Sequence, residues 1–217
     1  MILNYNFMNN IPVFRCTLCG KCSNILESTS YTSIKNRGCC WYFPEYRLID
    51  IKNIIDNGKS NFIYYLVSLK NSLLKSYSIK INGTFLKNKY ADFINSNKKY
   101  ENFDTSLFFK LCPFLSKNGC SLNFILRPHP CNLYLCRRVI KLCRKEYRTY
   151  FEERQDYFAY CNYSNECIKE DLIENNVDLI KDIHKSMDII KKCSIGKFSP
   201  RTLISIHFNY SQYNHSA

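Results

Sequence analysis

Three cysteines fall within seven residues, Cys16-Thr17-Leu18-Cys19-Gly20-Lys21-Cys22, and no other feature constrains the chain as strongly. A spacing of two residues lets a tight turn aim neighbouring sulfurs at one ion. Gly20 can adopt the left-handed backbone that turns N–H groups towards them. Two kinds of centre suit such a run. A zinc site needs the C-x2-C pair plus a second ligand pair from elsewhere. An iron–sulfur cluster uses all three cysteines plus a remote fourth, often followed by proline. Cys112-Pro113 offers such a fourth ligand.

The chain carries 13 cysteines, an odd number, and residues 1–14 have neither a basic start nor a small-residue cleavage site. No export signal is therefore expected and the expected compartment is the cytoplasm, where thiols stay reduced and close-spaced cysteines act as metal ligands rather than disulfides. The longest apolar run, residues 62–67, is too short to span a bilayer, so no membrane partner is expected. With 46% hydrophobic, 15% aromatic and 23% charged residues, the composition is that of a globular protein. The net charge of +13 favours anionic partners, although a chain rich in Asn, Ile, Lys and Tyr also reflects A/T-rich coding.

No cysteine lies between Cys40 and Cys112, and this gap organises the chain. Residues 14–43 carry Cys16, Cys19, Cys22, Cys39 and Cys40 and read as loop; residues 112–136 carry Cys112, Cys120, Cys131 and Cys136. The expected fold class is α+β, mostly helical, with an irregular metal-bound cysteine region packed on a helical C-terminal half. The expected domains are a cysteine-cluster domain over residues 14–140, with an insertion at about 45–105, and a helical extension over 141–217. Ile51, Ile54 and Ile55 have helical spacing after a cap at Asp50, with Asn57-Gly58 as the stop. Residues 62–74 read as helix, with a strand as the alternative for so short a run, 78–86 as a hairpin turning at Asn82-Gly83, and 95–104 as a polar surface loop. Asn118-Gly119 marks a second tight turn. Val139, Cys143, Tyr147 and Phe151 form a helical stripe, and a last helix is expected from about Glu166 to Lys192 with Ile173, Val177, Ile180, Met187 and Ile190 as its apolar face. The tail beyond Pro200 has no clear period.

The whole cysteine pattern, CxxCGxC, then Cys112 followed closely by Phe114-Leu115, then Gly119-Cys120, then Arg127-Pro128-x-x-Cys131, resembles the YkgJ-type cysteine-cluster family. That family has a zinc- or iron-chelating domain and includes flagellin lysine N-methylases. The resemblance implies roles for Cys16, Cys19, Cys22, Cys112, Cys120, Arg127, Pro128, Cys131 and Cys136, and a flagellin-like protein substrate. One departure stands out. The family closes its first run with a Cys-Cys pair, whereas Ser23 follows Cys22 here and the pair occurs as Cys39-Cys40, before Trp41-Tyr42-Phe43-Pro44. Adjacent residues in extended backbone point to opposite sides, so one of the two is expected to ligate metal while the other packs or serves a second site.

Of the remaining cysteines, Cys143 falls on an apolar stripe and reads as core, Cys161 and Cys167 as flanking a turn, and Cys193 has no partner in sequence. His129, between two prolines beside Cys131, reads as a surface or indirectly supporting histidine, with direct ligation as the zinc-favouring alternative. No methyl-donor fingerprint is visible: there is no Gly-rich strand-to-helix turn and no C-x3-C-x2-C run, so catalytic residues are not assignable. A competing function is a zinc-stabilised nucleic-acid-binding module using Arg137, Lys141, Arg144, Lys145 and Arg148 as one exposed helical stripe. The bland counterpart of that stripe is a solvated helix face. A metal-storage or redox-carrier role is a third class.

Overall fold

A computed structural model describes residues 1–19, 30–34, 42–96 and 104–209. Cys22, Cys39, Cys40 and Trp41 lie outside the described residues, as does most of the polar stretch expected at 95–104.

The chain opens with a hairpin that composition alone did not announce. Strands β1 (Ile2–Met8) and β2 (Ile11–Cys16) pair in antiparallel register from Leu3↔Cys16 to Met8↔Ile11. Their two-residue turn is Asn9-Asn10, with φ of 55° and 61°. This is the doubly left-handed turn whose twist matches paired strands, and asparagine tolerates it better than most residues. A short strand far along the chain, β10 (Ile206–His207), adds to the outer edge of β1, so the apparently unpatterned tail completes a three-stranded sheet, β10-β1-β2.

Strand β3 (Glu45–Arg47) leads directly into helix α1 (Leu48–Asp56), the centre of the molecule. Leu48, Ile49 and Ile51 are wholly buried, and α1 packs against α6 (Tyr147–Glu174) and α7 (Ile183–Lys192). The residue at the N-cap is Arg47; Asp50 sits in the first turn and its Oδ2 accepts from the Arg47 N–H at 3.0 Å. The helix stops at Asn57 and Gly58, the latter with φ of 70°, as the sequence led us to expect.

Helix α2 covers Ser60–Ser68 only, because the apolar run then becomes strand β4 (Ser72–Lys75). β4 pairs with β5 (Ser78–Ile81), and β5 with β3, giving the order β3-β5-β4. The turn of this hairpin is Ser76-Tyr77, not Asn82-Gly83. Gly83 serves a different need: a Cβ there would come within 2.2 Å of the Phe43 ring. After it, β6 (Thr84–Phe85) pairs with β7 (Lys110–Leu111), with helix α3 (Lys87–Ser96) between them. The Asn118-Gly119 turn is present. Its linking residues are Lys117-Asn118, between β8 (Leu115–Ser116) and β9 (Gly119–Cys120), and β9 opens on Gly119 at φ of 101°.

Two helices stand where one was expected over 166–192. Helix α6 ends at Glu174, and Asn176 takes φ of 52° while the Asn175 amide donates to the Asp171 carbonyl at 2.8 Å. Asp182 then caps α7 through the Lys185 N–H at 2.9 Å. The break rotates the expected stripe. Val177, Met187 and Ile190 are buried, whereas Ile173 and Ile180 are more than half exposed. Cys161 and Cys167 therefore flank no turn; both lie inside α6.

The described residues form a mixed α+β fold in which helix predominates and the sheets are small. One buried core runs from Leu3 on β1, through α1, to Tyr150 and Tyr157 on α6 and Phe208 beyond β10. Glu153 of α6 is wholly buried among them. It accepts from the Tyr5 hydroxyl and from the Arg201 N–H at 3.1 Å, and so ties hairpin, helix and tail together. The Tyr150 hydroxyl donates to the Leu3 and Ile204 carbonyls, which has the same effect.

Candidate metal centre

Strand β2 carries Cys16 to the end of the first sheet. There the Thr17 N–H donates to the Ile2 carbonyl at 3.1 Å, and the Cys19 N–H donates to the Cys16 carbonyl at 3.0 Å, which closes a tight turn. Leu18 anchors the turn in the core, and its N–H points at Cys16 Sγ over 3.4 Å. A backbone N–H aimed at sulfur favours the thiolate, the form that binds metal. Burial pushes the Cys16 thiol up, the Leu18 N–H opposes that, and the nearby Cys136 and Cys19 sulfurs raise it further. Cys16, Cys19 and Cys136 thus share one neighbourhood.

Cys136 immediately precedes helix α5 (Arg137–Cys143), and Cys143 ends it. Cys143 is buried, as its stripe position led us to expect. Burial pushes its thiol up to about 12, with Cys16, Glu146 and Cys136 adding to the shift. It backs the thiol group from within the core. At about 1.5 Å per residue, Cys136 and Cys143 stand roughly 10 Å apart along the helix, too far to be ligands of one ion.

Cys112, Cys120 and Cys131 form a second group. Cys112 precedes the β8–β9 ribbon, in which Cys120 pairs with Leu115. The Arg127 guanidinium braces the far side. Its Nε and Nη2 donate to the Leu122 carbonyl at 2.8 and 2.6 Å, and Nη2 reaches the Cys120 carbonyl at 3.5 Å. Pro128 starts the short helix α4 (His129–Asn132), which holds Cys131. The Asn132 amide closes the loop by donating to the Phe124 carbonyl at 2.8 Å. Inside this group lies Tyr46, wholly buried, with its hydroxyl donating to the Leu126 carbonyl at 3.0 Å. Burial, then the nearby Cys131, Asp50, Cys120 and Cys112, hold that phenol well above its ordinary range. No sequence pattern singled out Tyr46.

His129 does not lie on the surface. It is 4% exposed, and both its N–H and its Nδ1 meet Asp50 Oδ1, at 2.8 and 2.9 Å. Asp50 thereby holds the start of α1 and the start of α4 with one carboxylate. Its position in the first turn of α1 was the visible signal, read as a cap rather than as a clamp.

The basic residues are exposed as expected, but one helix does not carry them. Arg144 adopts φ of 50°, and a 3-10 turn (Arg144–Glu146) separates α5 from α6. Arg137 and Lys141 lie on α5, Arg144 and Lys145 on the turn, and Arg148 on α6, where it pairs with Glu152 at 3.0 Å.

Among the described residues, no disulfide joins two cysteines, and no three His, Cys, Asp or Glu side chains converge closely enough to hold a metal ion. Among these residues no helix is long and apolar enough to cross a membrane. Compared with protein-family models, with curated proteins and with solved structures, the chain matches none.

Proposed function

We propose that this chain chelates zinc or iron, the latter with an iron–sulfur cluster included, through thiolates drawn from Cys16, Cys19, Cys22, Cys39, Cys40, Cys112, Cys120, Cys131 and Cys136. The observation that carries the reading is the Cys16–Cys19 turn, whose Leu18 N–H is directed at Cys16 Sγ beside Cys136. Such a turn orients one sulfur and donates to it. The division of the other thiols around Tyr46 supports two groups of ligands, each to be completed from Cys22, Cys39 and Cys40. When bound, the metal supplies a Lewis-acid or redox centre. The chain's own residues position the thiolates: Arg127 fixes the Cys120 loop, and Asp50 fixes α4. The YkgJ-type resemblance extends the proposal to a relative of the flagellin lysine N-methylases, acting on a protein substrate in the cytoplasm.

Anaerobic purification with metal and acid-labile sulfide analysis tests this. Bound metal should fall by more than half in Cys16→Ser, Cys19→Ser and Cys131→Ser, and stay unchanged in Cys193→Ser. A brown chromophore with sulfide identifies a cluster, and colourless stoichiometric zinc identifies a zinc site. Full metal retention in Cys19→Ser would overturn the assignment.

A second reading, nucleic-acid binding by Arg137, Lys141, Arg144, Lys145 and Arg148, is favoured by the exposure of all five. It requires binding to weaken steeply with salt and to drop in Lys141→Gln/Lys145→Gln.

A further inference from the structure

A cleft of about 630 Å³ lies away from both thiol groups, where α1, the end of α7 and the β1–β2 turn meet. Its volume is that of a small-molecule site. Three lysines line it, Lys52, Lys192 and Lys197, against one carboxylate, Asp56. Lys52 is nearly enclosed, with 7% of its side chain exposed, and its ammonium donates to Asp56 Oδ1 at 3.1 Å and to the Lys191 carbonyl at 3.3 Å. Asp56 is spent on that contact. Among the described residues, Lys192 and Lys197 have no carboxylate within ion-pair distance.

The cleft also offers neutral donors. The segment 194–198 follows α7 without regular structure, and among the described residues the N–H groups of Ser194, Ile195, Gly196 and Lys197 have no backbone acceptor. Gly196 has nothing within 4 Å of where a Cβ would stand, which leaves its backbone open to approach. Phe7 and Phe198, with ring centroids 6.1 Å apart, form the apolar wall. Excess positive charge, one buried ammonium fixed in place and open backbone N–H groups are the parts of an anion site.

We propose that this cleft binds a small phosphate-bearing molecule, its phosphate held by Lys192, Lys197 and the N–H groups of 194–197, with Lys52 beneath. The proposal does not depend on the metal reading, since none of these residues belongs to the thiol groups. The test is a titration of the full-length chain with inorganic phosphate at constant ionic strength, followed by amide NMR. Saturable shifts should centre on residues 192–198, and Lys192→Gln/Lys197→Gln should weaken them about tenfold, as loss of two charge-assisted contacts implies. A control variant on the basic ridge, Lys141→Gln/Lys145→Gln, should leave them unchanged. No saturable shift at 192–198, equal binding by the cleft variant, or equal loss in the ridge variant would each overturn the proposal.

Discussion

Asp50 shows how much one side chain can organise. Its carboxylate accepts from the Arg47 N–H and from two nitrogens of His129, all within 3.0 Å, and it is almost wholly buried. Alanine at this position would strand the buried N–H and imidazole of His129 and the half-buried Arg47 N–H. Each unsatisfied buried group costs about 1–3 kcal/mol, so Asp50→Ala should lose about 3 kcal/mol or more in urea unfolding. Because α4 carries Cys131, the variant should also retain less metal, while Asp50→Asn, which keeps one acceptor oxygen, should fall between. Unchanged stability in Asp50→Ala would remove the clamp from the account.

At the scale of elements, the β1–β2 hairpin rests on an Asn9-Asn10 turn with both residues left-handed. Asn-Gly is the favoured pair for this geometry, so Asn10→Gly should keep or raise the melting temperature. Asn10→Val, which resists positive φ, should lower stability by about 1–2 kcal/mol. Equal melting of the two variants would refute the turn assignment. This element also marks where sequence reading reached its limit. The helix at Ile51, Ile54 and Ile55 and the turn at Asn118-Gly119 were legible because period and turn chemistry are local. Ligand spacing is local too, and the cysteine pattern is what the metal proposal starts from. The placement of Gly83 was not, since its lack of a side chain answers to Phe43, forty residues away. Nor was the Asn175-Asn176 break legible, because charge order and hydrophobic spacing on both sides happened to agree with a continuous helix. His129 read as a surface or indirectly supporting residue, and its burial comes from other elements, through Asp50 and the Tyr157 and Phe158 rings.

For the molecule as a whole, buried acids set an alkaline limit. Burial pushes the Cys143 and Cys193 thiols up to about 12 from 9.0, and the Tyr150 phenol up to about 12 from 10.0. In the folded protein these groups keep protons that the unfolded chain has already released above pH 9. Stability is therefore full below the unfolded values and falls as pH rises through the folded ones. The melting temperature should decline steadily between about pH 9 and pH 12, with a shallower slope in Cys143→Ala; a flat profile over that window would contradict it. Metal removal should act more locally. Structural thiolate sites contribute about 10–16 kcal/mol of apparent binding energy, which apo loops cannot replace. Chelation should abolish hydrogen-exchange protection at 16–19 and 112–136 and leave α1 and α6 protected by their own buried faces. Uniform loss of protection would mean that the core itself depends on metal.

Leu3 has Cys16 on one flank and Ile206 on the other. The two partnerships belong to different times. Closing a two-residue hairpin takes about 1–10 microseconds, whereas docking β10 must wait for the intervening core to condense. The Cys16–Cys19 turn is thus assembled early and, under the metal proposal, would meet the ion before the sulfurs of 112–136 arrive. The order of events on folding would then be capture first and enclosure second, with the outer edge of β1 the last to be sealed.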